Sequence, residues 1–178
     1  AFGKIDIWIS NAGYMPFALN KDVDDELWDK IINTNLKSVY NGGKIAYEKM
    51  RKNGGVLINA SSFASVIPSV GYTAYAAAKA GVSSMTRTMA AELAPYNIRV
   101  LGYIPGLIDT ALTKESQKIN GEKLLEPIAE RRYGNPDDVA KVIAFMASDL
   151  AEYMTGTCLE ITGGKFAVQN PMKAWELK

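Results

Sequence analysis

Tyr75 and Lys79 stand four residues apart, a spacing that puts both side chains on one flank of an α-helix. A phenol titrates near roughly pH 10, too high to exchange protons efficiently at neutral pH. An ammonium beside it favours the phenolate and draws that value down. Ser62 follows an apolar run and offers a hydroxyl that can hold a carbonyl oxygen in a reacting position. Together the three groups can polarise one C=O bond, and the hydride must then come from a cofactor, because no side chain supplies one. Two neighbours compete for these posts, Ser61 with Ser62 and Tyr72 with Tyr75, and the interval to Lys79 favours Tyr75. Taken alone, a Tyr/Lys pair at this spacing also describes a surface pair with the lysine stem lying on the ring.

The elements that must position these groups alternate between strand and helix. Ile5 to Ser10 is short, β-branched and apolar and stops at the turn-forming Asn11-Ala12-Gly13, which predicts a buried strand. From an N-cap at Asp22, with acidic residues in the first turn, Leu27, Ile31, Ile32, Leu36, Val39 and Tyr40 recur at helical spacing, predicting one long helix to about Met50. Val56 to Ala60 predicts a second buried strand, Ala74 to Leu93 a helix and Ile98 to Ile104 a third strand ended by Pro105-Gly106. Residues 106–134 read as a mobile segment with one or two short helices. Asn135-Pro136-Asp137-Asp138 is a helix start, carrying the chain to about Ser148, and Thr157 to Ile161 is the last strand before an irregular tail. Strands apolar throughout, separated by helices, imply an α/β fold: a doubly wound parallel sheet covered on both faces, in a single domain over residues 1–178.

Composition narrows the function classes. Twenty basic and nineteen acidic residues give a net charge of +1, which provides no field for nucleic acid or an anionic membrane. The apolar runs fall far short of a membrane span, and no secretory h-region opens the chain. The single cysteine, Cys158, rules out an internal disulfide or a cysteine-based metal cluster, so a reducing cytoplasm is the expected compartment. The chain has no histidine, which removes Ser-His-Asp and Cys-His nucleophiles and the commonest metal ligand, so no metal is expected. Acid–base chemistry is left to Tyr, Lys, Asp or Glu.

At these residues the sequence resembles the single-domain short-chain dehydrogenases/reductases. Tyr75-Ala76-Ala77-Ala78-Lys79 matches their Tyr-x-x-x-Lys motif, Ser62 stands thirteen residues before the tyrosine as their catalytic serine does, and Asn11-Ala12-Gly13 matches their Asn-Ala-Gly turn. Asn33-Thr34-Asn35-Leu36 resembles the helix segment bearing their fourth catalytic residue, and Pro105-Gly106-Leu107-Ile108-Asp109-Thr110 their loop at the nicotinamide. The resemblance implies a Rossmann-like fold and hydride transfer between a small-molecule secondary alcohol or ketone and NAD or NADP. Tyr75 would be the general acid/base and Ser62 would position the substrate oxygen. Lys79 would bind the nicotinamide ribose and lower the tyrosine's pKa, while Asn35 would hold a proton-relay water. Cofactor contacts are implied for Asn11, Ala12, Gly13, Ala60, Tyr75, Lys79, Pro105, Gly106, Ile108 and Thr110.

The family's Gly-rich phosphate turn does not occur here, and the sequence opens where the family's fourth strand begins. An amino-terminal part is therefore expected to be missing, and with it the residue that separates NAD from NADP. The family also implies a homodimer or homotetramer through the two long helices, where Ala76, Ala77, Ala80, Gly81, Ser84 and Ala90 permit close approach. Substrate is not legible, with a hydroxysteroid or a 3-oxoacyl thioester among several candidates. The tail bears a slight similarity to bacterial hydroxysteroid dehydrogenases. A non-catalytic scaffold that keeps the fold is the competing reading.

Overall fold

Four apolar runs form the parallel strands of one sheet in the computed structural model, which describes residues 3–178. In chain order the sheet elements and main helices are β1 (Ile7–Ser10), α1 (Asp25–Ile32), α2 (Ser38–Met50), β2 (Gly55–Ala60), α3 (Thr73–Leu93) and β3 (Ile98–Pro105). There follow α4 (Lys114–Asn120), α5 (Pro136–Ala147), β4 (Cys158–Ile161) and a last short helix, α6 (Lys173–Glu176). The strands lie in the order β1-β2-β3-β4, with Ser10 beside Asn59, Asn59 beside Gly102 and Gly102 beside Cys158. Parallel neighbours require crossovers, so the helices fall on the sheet faces.

Side chains alternate between those faces and divide the core in two. Leu57, Ile98 and Val100 pack with Ala46 and Met50 of α2 and with Ala90 and Leu93 of α3. Val56, Ile58, Leu101 and Tyr103 point the other way, against Val139, Val142, Ile143 and Met146 of α5. The doubly wound α/β expectation is met: both faces of β2 and β3 are covered, which is why those strands are mostly apolar, Asn59 and Arg99 excepted.

Among the described residues β1 pairs only with β2, and Ile7 and Ile9 are 48% and 44% exposed, so the strand expected to be buried stands at the edge of the sheet that these residues build, as an apolar strand does without a neighbour. Trp8 and Ser10 turn inward, and Trp8 joins the core under α2. The helix expected from Asp22 to Met50 is also divided. Asp22 sits in a separate 3-10 turn, and the N-cap is Asp24, whose carboxylate accepts from the Leu27 amide at 2.8 Å. Between α1 and α2, Asn33–Lys37 forms a π-helical segment that widens the turn.

α5 begins as expected, with Asn135 accepting from Asp137 and Asp138 closing a capping box. The segment 106–134 holds α4 and a following 3-10 turn, tied down by buried Thr113, whose hydroxyl donates to the Ile108 carbonyl at 2.5 Å.

Two adjacent glycines of α2 have opposite environments. A Cβ on Gly42 would stand 2.6 Å from Ser10 Oγ and 2.7 Å from Trp8 Nε1, which are themselves hydrogen-bonded. On Gly43 it would meet the flexible end of Met89 at 2.8 Å. Alanine gains about 1 kcal/mol over glycine in a helix, while overpacking costs about 1–3 kcal/mol. Gly42→Ala is therefore expected to lower stability by up to about 2 kcal/mol, read as a lower urea midpoint, and Gly43→Ala to leave the midpoint unchanged or raised. Equal midpoints would show that the indole swings aside freely.

Candidate active site

The carboxyl ends of all four strands meet along one edge of the sheet, which carries Asn11 after β1, Ser61 and Ser62 after β2, Gly106 after β3 and Thr162 after β4. α3 runs past this edge with Tyr75 and Lys79 on its buried flank, 6% and 3% exposed. The Lys79 ammonium donates to the Ala60 carbonyl at 2.8 Å, where the strand ladder ends. It lies 5.7 Å from the centroid of the Tyr75 ring.

These contacts set the protonation of the pair. Burial holds the Tyr75 phenol above its ordinary value, and the Ser62 hydroxyl beside the phenol oxygen pulls the other way by favouring the anion. Lys79 is brought down to about 8 by burial. The expectation that Lys79 draws the phenol down is thus corrected. The ammonium lies over the ring face and gives one hydrogen bond to Ala60, and desolvation of the phenol exceeds the opposing effect of Ser62.

The two serines divide cleanly. Ser61 is buried: its hydroxyl donates to the Lys79 carbonyl at 3.0 Å and lies 2.6 Å from Ser83 Oγ. Ser62 has extended backbone, which turns its side chain to the opposite side, and its Oγ accepts from the Ala64 amide at 3.1 Å. Tyr72, the competitor of Tyr75, lies edge-on to Phe17 with ring centroids 5.7 Å apart.

Asn35 is fully buried in the π-helical segment. Its amide donates to the carbonyls of Tyr14 at 2.7 Å and Ile31 at 2.9 Å, and its Oδ1 accepts from the Tyr14 amide at 3.1 Å. Both N–H donors are spent, so a water held by this residue must bond to an oxygen acceptor. Asn35 also fixes the backbone just after Gly13. A Cβ on Gly13 would stand 3.4 Å from Asn35 Oδ1 and 4.0 Å from Lys79 Nζ, so the floor beside the ammonium is bare, exposed backbone.

Sequence reasoning passed over Tyr103. Its hydroxyl donates to the Asn11 side-chain oxygen, and burial together with the charge of Tyr75 pushes its pKa up to about 12. It therefore stays a donor and anchors the Asn-Ala-Gly turn. A tyrosine within an apolar strand carries no signal that would mark this role.

The loop after β3 approaches β4 closely. The Gly106 amide donates to the Ile161 carbonyl at 2.9 Å, and a Cβ there would stand 2.9 Å from Thr162 Cα. Ile108 bridges to Gly134, while the Thr110 carbonyl accepts from Thr113 Oγ1 at 3.1 Å. Behind this loop a cavity of about 320 Å³ is lined by Leu107, Ile108, Arg132, Gly134, Val142 and Thr162, and it does not reach Ser62, Tyr75 or Lys79.

The edge fits a nucleotide cofactor. Lys79 has spent one of its three donors, the backbone at Gly13 is open beside it, and Ala12 and Gly13 are exposed. Among the described residues no His, Cys, Asp and Glu cluster could hold a metal, and no helix is long and apolar enough to cross a membrane.

Comparisons with known proteins show which family the chain resembles. A family model described as enoyl-(acyl carrier protein) reductase matches residues 1–165. The 3-oxoacyl-(acyl-carrier-protein) reductase of Thermotoga maritima is 42% identical over 164 residues, covering 92% of this chain and 67% of the relative. The L-rhamnose 1-dehydrogenase (NAD(P)(+)) of Azotobacter vinelandii is 37% identical over 170 residues, covering 93% of this chain and 66% of the relative. The crystal structure of a short-chain type dehydrogenase/reductase from Mycobacterium marinum superposes with a TM-score of 0.87 at 32% identity, covering 93% of this chain and 66% of that one. The chain thus spans about two thirds of the length of these relatives, 67% in the first case.

Lys79 makes stability depend on pH. The folded protein releases this proton near 8 and the unfolded chain near the ordinary 10.5. Between those values the unfolded chain binds more protons, so this group makes stability rise with pH from about 8 upward, by on the order of 1 kcal/mol per pH unit. Below the folded value both states are charged and the burial penalty is constant. Tyr75 opposes the rise only above its ordinary 10.0. Urea unfolding between about pH 8 and 9.5 is expected to show this slope, and Lys79→Met to reduce it, leaving the contributions of Lys165, which burial also lowers, and of the raised Cys158 thiol, which opposes the rise. Equal slopes in the two proteins would mean that the ammonium keeps its water.

Proposed function

Because the chain belongs to the short-chain dehydrogenase/reductase family, whose members use NAD or NADP, we propose that it interconverts a secondary alcohol and a ketone with Tyr75 as the general acid/base. The observation that supports this reading is the convergence of Ser62, Tyr75 and Lys79 on the carboxyl end of β2, beside the open backbone of Gly13. A nicotinamide nucleotide, when bound, supplies or accepts the hydride.

The residues of the chain do the rest. Ser62 Oγ holds the substrate oxygen next to the Tyr75 hydroxyl, so the proton has a short path. Burial keeps Tyr75 protonated at neutral pH, which suits it to give its proton to the oxygen of a ketone undergoing reduction. In the oxidation direction the phenol must first lose that proton, and the Ser62 hydroxyl favours the resulting anion. Lys79 offers its two remaining N–H donors to the nicotinamide ribose, and its charge is present at neutral pH.

Asn35 acts as a positioning residue, holding the Tyr14 backbone and thereby the turn that would cradle the cofactor, together with Asn11, Ala12 and Gly13. Ala60, Pro105, Gly106, Ile108 and Thr110 complete that cradle. Assembly as a homodimer or homotetramer through α2 and α3 is part of the same proposal. Its support is an exposed row of Ala77, Ala80 and Ser84 on α3, whereas Ala76 and Ala90 face the core.

Tyr75→Phe is expected to lower turnover by roughly 10²–10⁴-fold while NADH or NADPH still binds, as followed by calorimetry. Lys79→Ala is expected to weaken both. Near-normal turnover by the phenylalanine variant would overturn the assignment of Tyr75, and a protein that binds neither nucleotide would be a scaffold that keeps the fold.

A further inference from the structure

Lys165 opens the carboxyl-terminal tail, and its ammonium lies 5.3 Å from the centroid of the Phe63 ring and 5.6 Å from that of Phe166. The two rings are stacked, with centroids 5.8 Å apart and 17° between their planes. The backbone fixes this arrangement from several directions. Lys165 bridges to Ile128, the Glu130 amide donates to the Gly163 carbonyl at 3.1 Å, and the Phe166 amide donates to the Pro127 carbonyl at 2.8 Å. Phe166 itself sits at φ 53°, a left-handed value that a phenylalanine keeps only when its surroundings impose it.

This cation stands close to the reacting edge. Phe63 directly follows Ser62, so the ammonium lies no more than about 13 Å from the Ser62 Cα. The lysine is half-buried, and burial lowers its pKa, yet among the described residues no carboxylate pairs with it and no protein oxygen accepts from it. Glu130, on the bridged segment, is already bound by Arg132 at 3.1 Å. A lysine that merely packed its stem would carry its ammonium out into water. Here two ring faces hold the charge in place and leave its N–H donors unspent.

We propose that Lys165, framed by Phe63 and Phe166, is a specificity-determining residue that receives an anionic group of the substrate, so that the natural substrate is an oxo or hydroxy compound bearing a carboxylate or phosphate several bonds from the reacting carbon. The inference rests on Ser62 and Tyr75 being the reacting edge. It adds the substrate's charge, which no feature of the Ser62, Tyr75 and Lys79 trio specifies.

The test compares 6-oxoheptanoate, its methyl ester and a phosphate monoester of a methyl ketone of similar length, with the intact protein and NADH or NADPH. The anionic ketones are expected to exceed the ester in kcat/KM by roughly tenfold or more. Lys165→Met should bring that ratio to about one with the ester unaffected, and Lys165→Arg should retain the preference. Whichever anion loses more in the methionine variant identifies the group. An acid-to-ester ratio unchanged by Lys165→Met overturns this inference and leaves the oxidoreductase reading intact. If no ketone is turned over and neither nucleotide binds, the oxidoreductase reading fails instead, and calorimetric titration with 6-oxoheptanoate decides the lysine: binding lost in the methionine variant supports the anion site, and equal or absent binding overturns it.

Discussion

A lysine ammonium taken almost wholly out of water and aimed at one carbonyl governs the geometry of this protein. Lys79 is 3% exposed, and its bond to Ala60 at 2.8 Å joins the middle of α3 to the last residue of β2. That bond fixes the rotation of α3 about its own axis, and Tyr75, one turn earlier, is carried to the same sheet edge. A charge-assisted bond to a carbonyl is worth roughly 1.5–3 kcal/mol, and the lowering of Lys79 to about 8 shows that desolvation still exceeds it. The arrangement therefore lowers stability at neutral pH in return for a pre-placed cation, a common balance at sites that do chemistry.

The serines show how the chain protects that arrangement. Successive residues of an extended strand face opposite sides, so Ser61 and Ser62 cannot do the same work. Ser61 turns under α3, bonded to the Lys79 carbonyl and to Ser83, and so ties the helix backbone to the strand at a second point one residue beyond Ala60. Ser62 is left facing Tyr75. On the other side of the edge, Tyr103 and Asn35 hold the turn after β1 from beneath, one through Asn11 and the other through Tyr14. The helix that carries the reacting pair and the turn beside it are thus each held by polar side chains outside the Ser62, Tyr75 and Lys79 trio.

How much of this the sequence revealed follows the range of the interactions involved. β2, α3 and β3 are legible because their burial on both sides, or their helical period, is written in consecutive residues, and the trio is legible because Tyr75 and Lys79 sit on one helix. The π-helical segment at Asn33–Lys37 is not. Its Asn-Thr-Asn run is a weak helix former but carries no mark of a π turn, and Asn35 there bonds to Tyr14, twenty-one residues away. β1 reads as buried because its composition says only that it is apolar, while exposure depends on which elements lie beside Ile7 and Ile9. The pKa of Tyr75 is likewise a tertiary quantity. Spacing puts the ammonium near the ring, but only the fold decides that it lies over the face and bonds elsewhere.

The two lysines at this edge make the same point about charge. Both are desolvated, both lack a carboxylate among the described residues, and both have lowered pKa values through burial. Lys79 meets a carbonyl, which satisfies a donor and directs the ammonium; Lys165 meets two ring faces, which satisfy its charge but none of its donors. The first partner belongs to the sheet and cannot move without breaking the ladder at β2. The second belongs to a loop and a tail, Phe63 and Phe166, held by a handful of backbone bonds and one strained residue. Rigid strand ends suit a proton path, whose geometry must not vary, and a replaceable tail suits recognition, which differs from one substrate to the next.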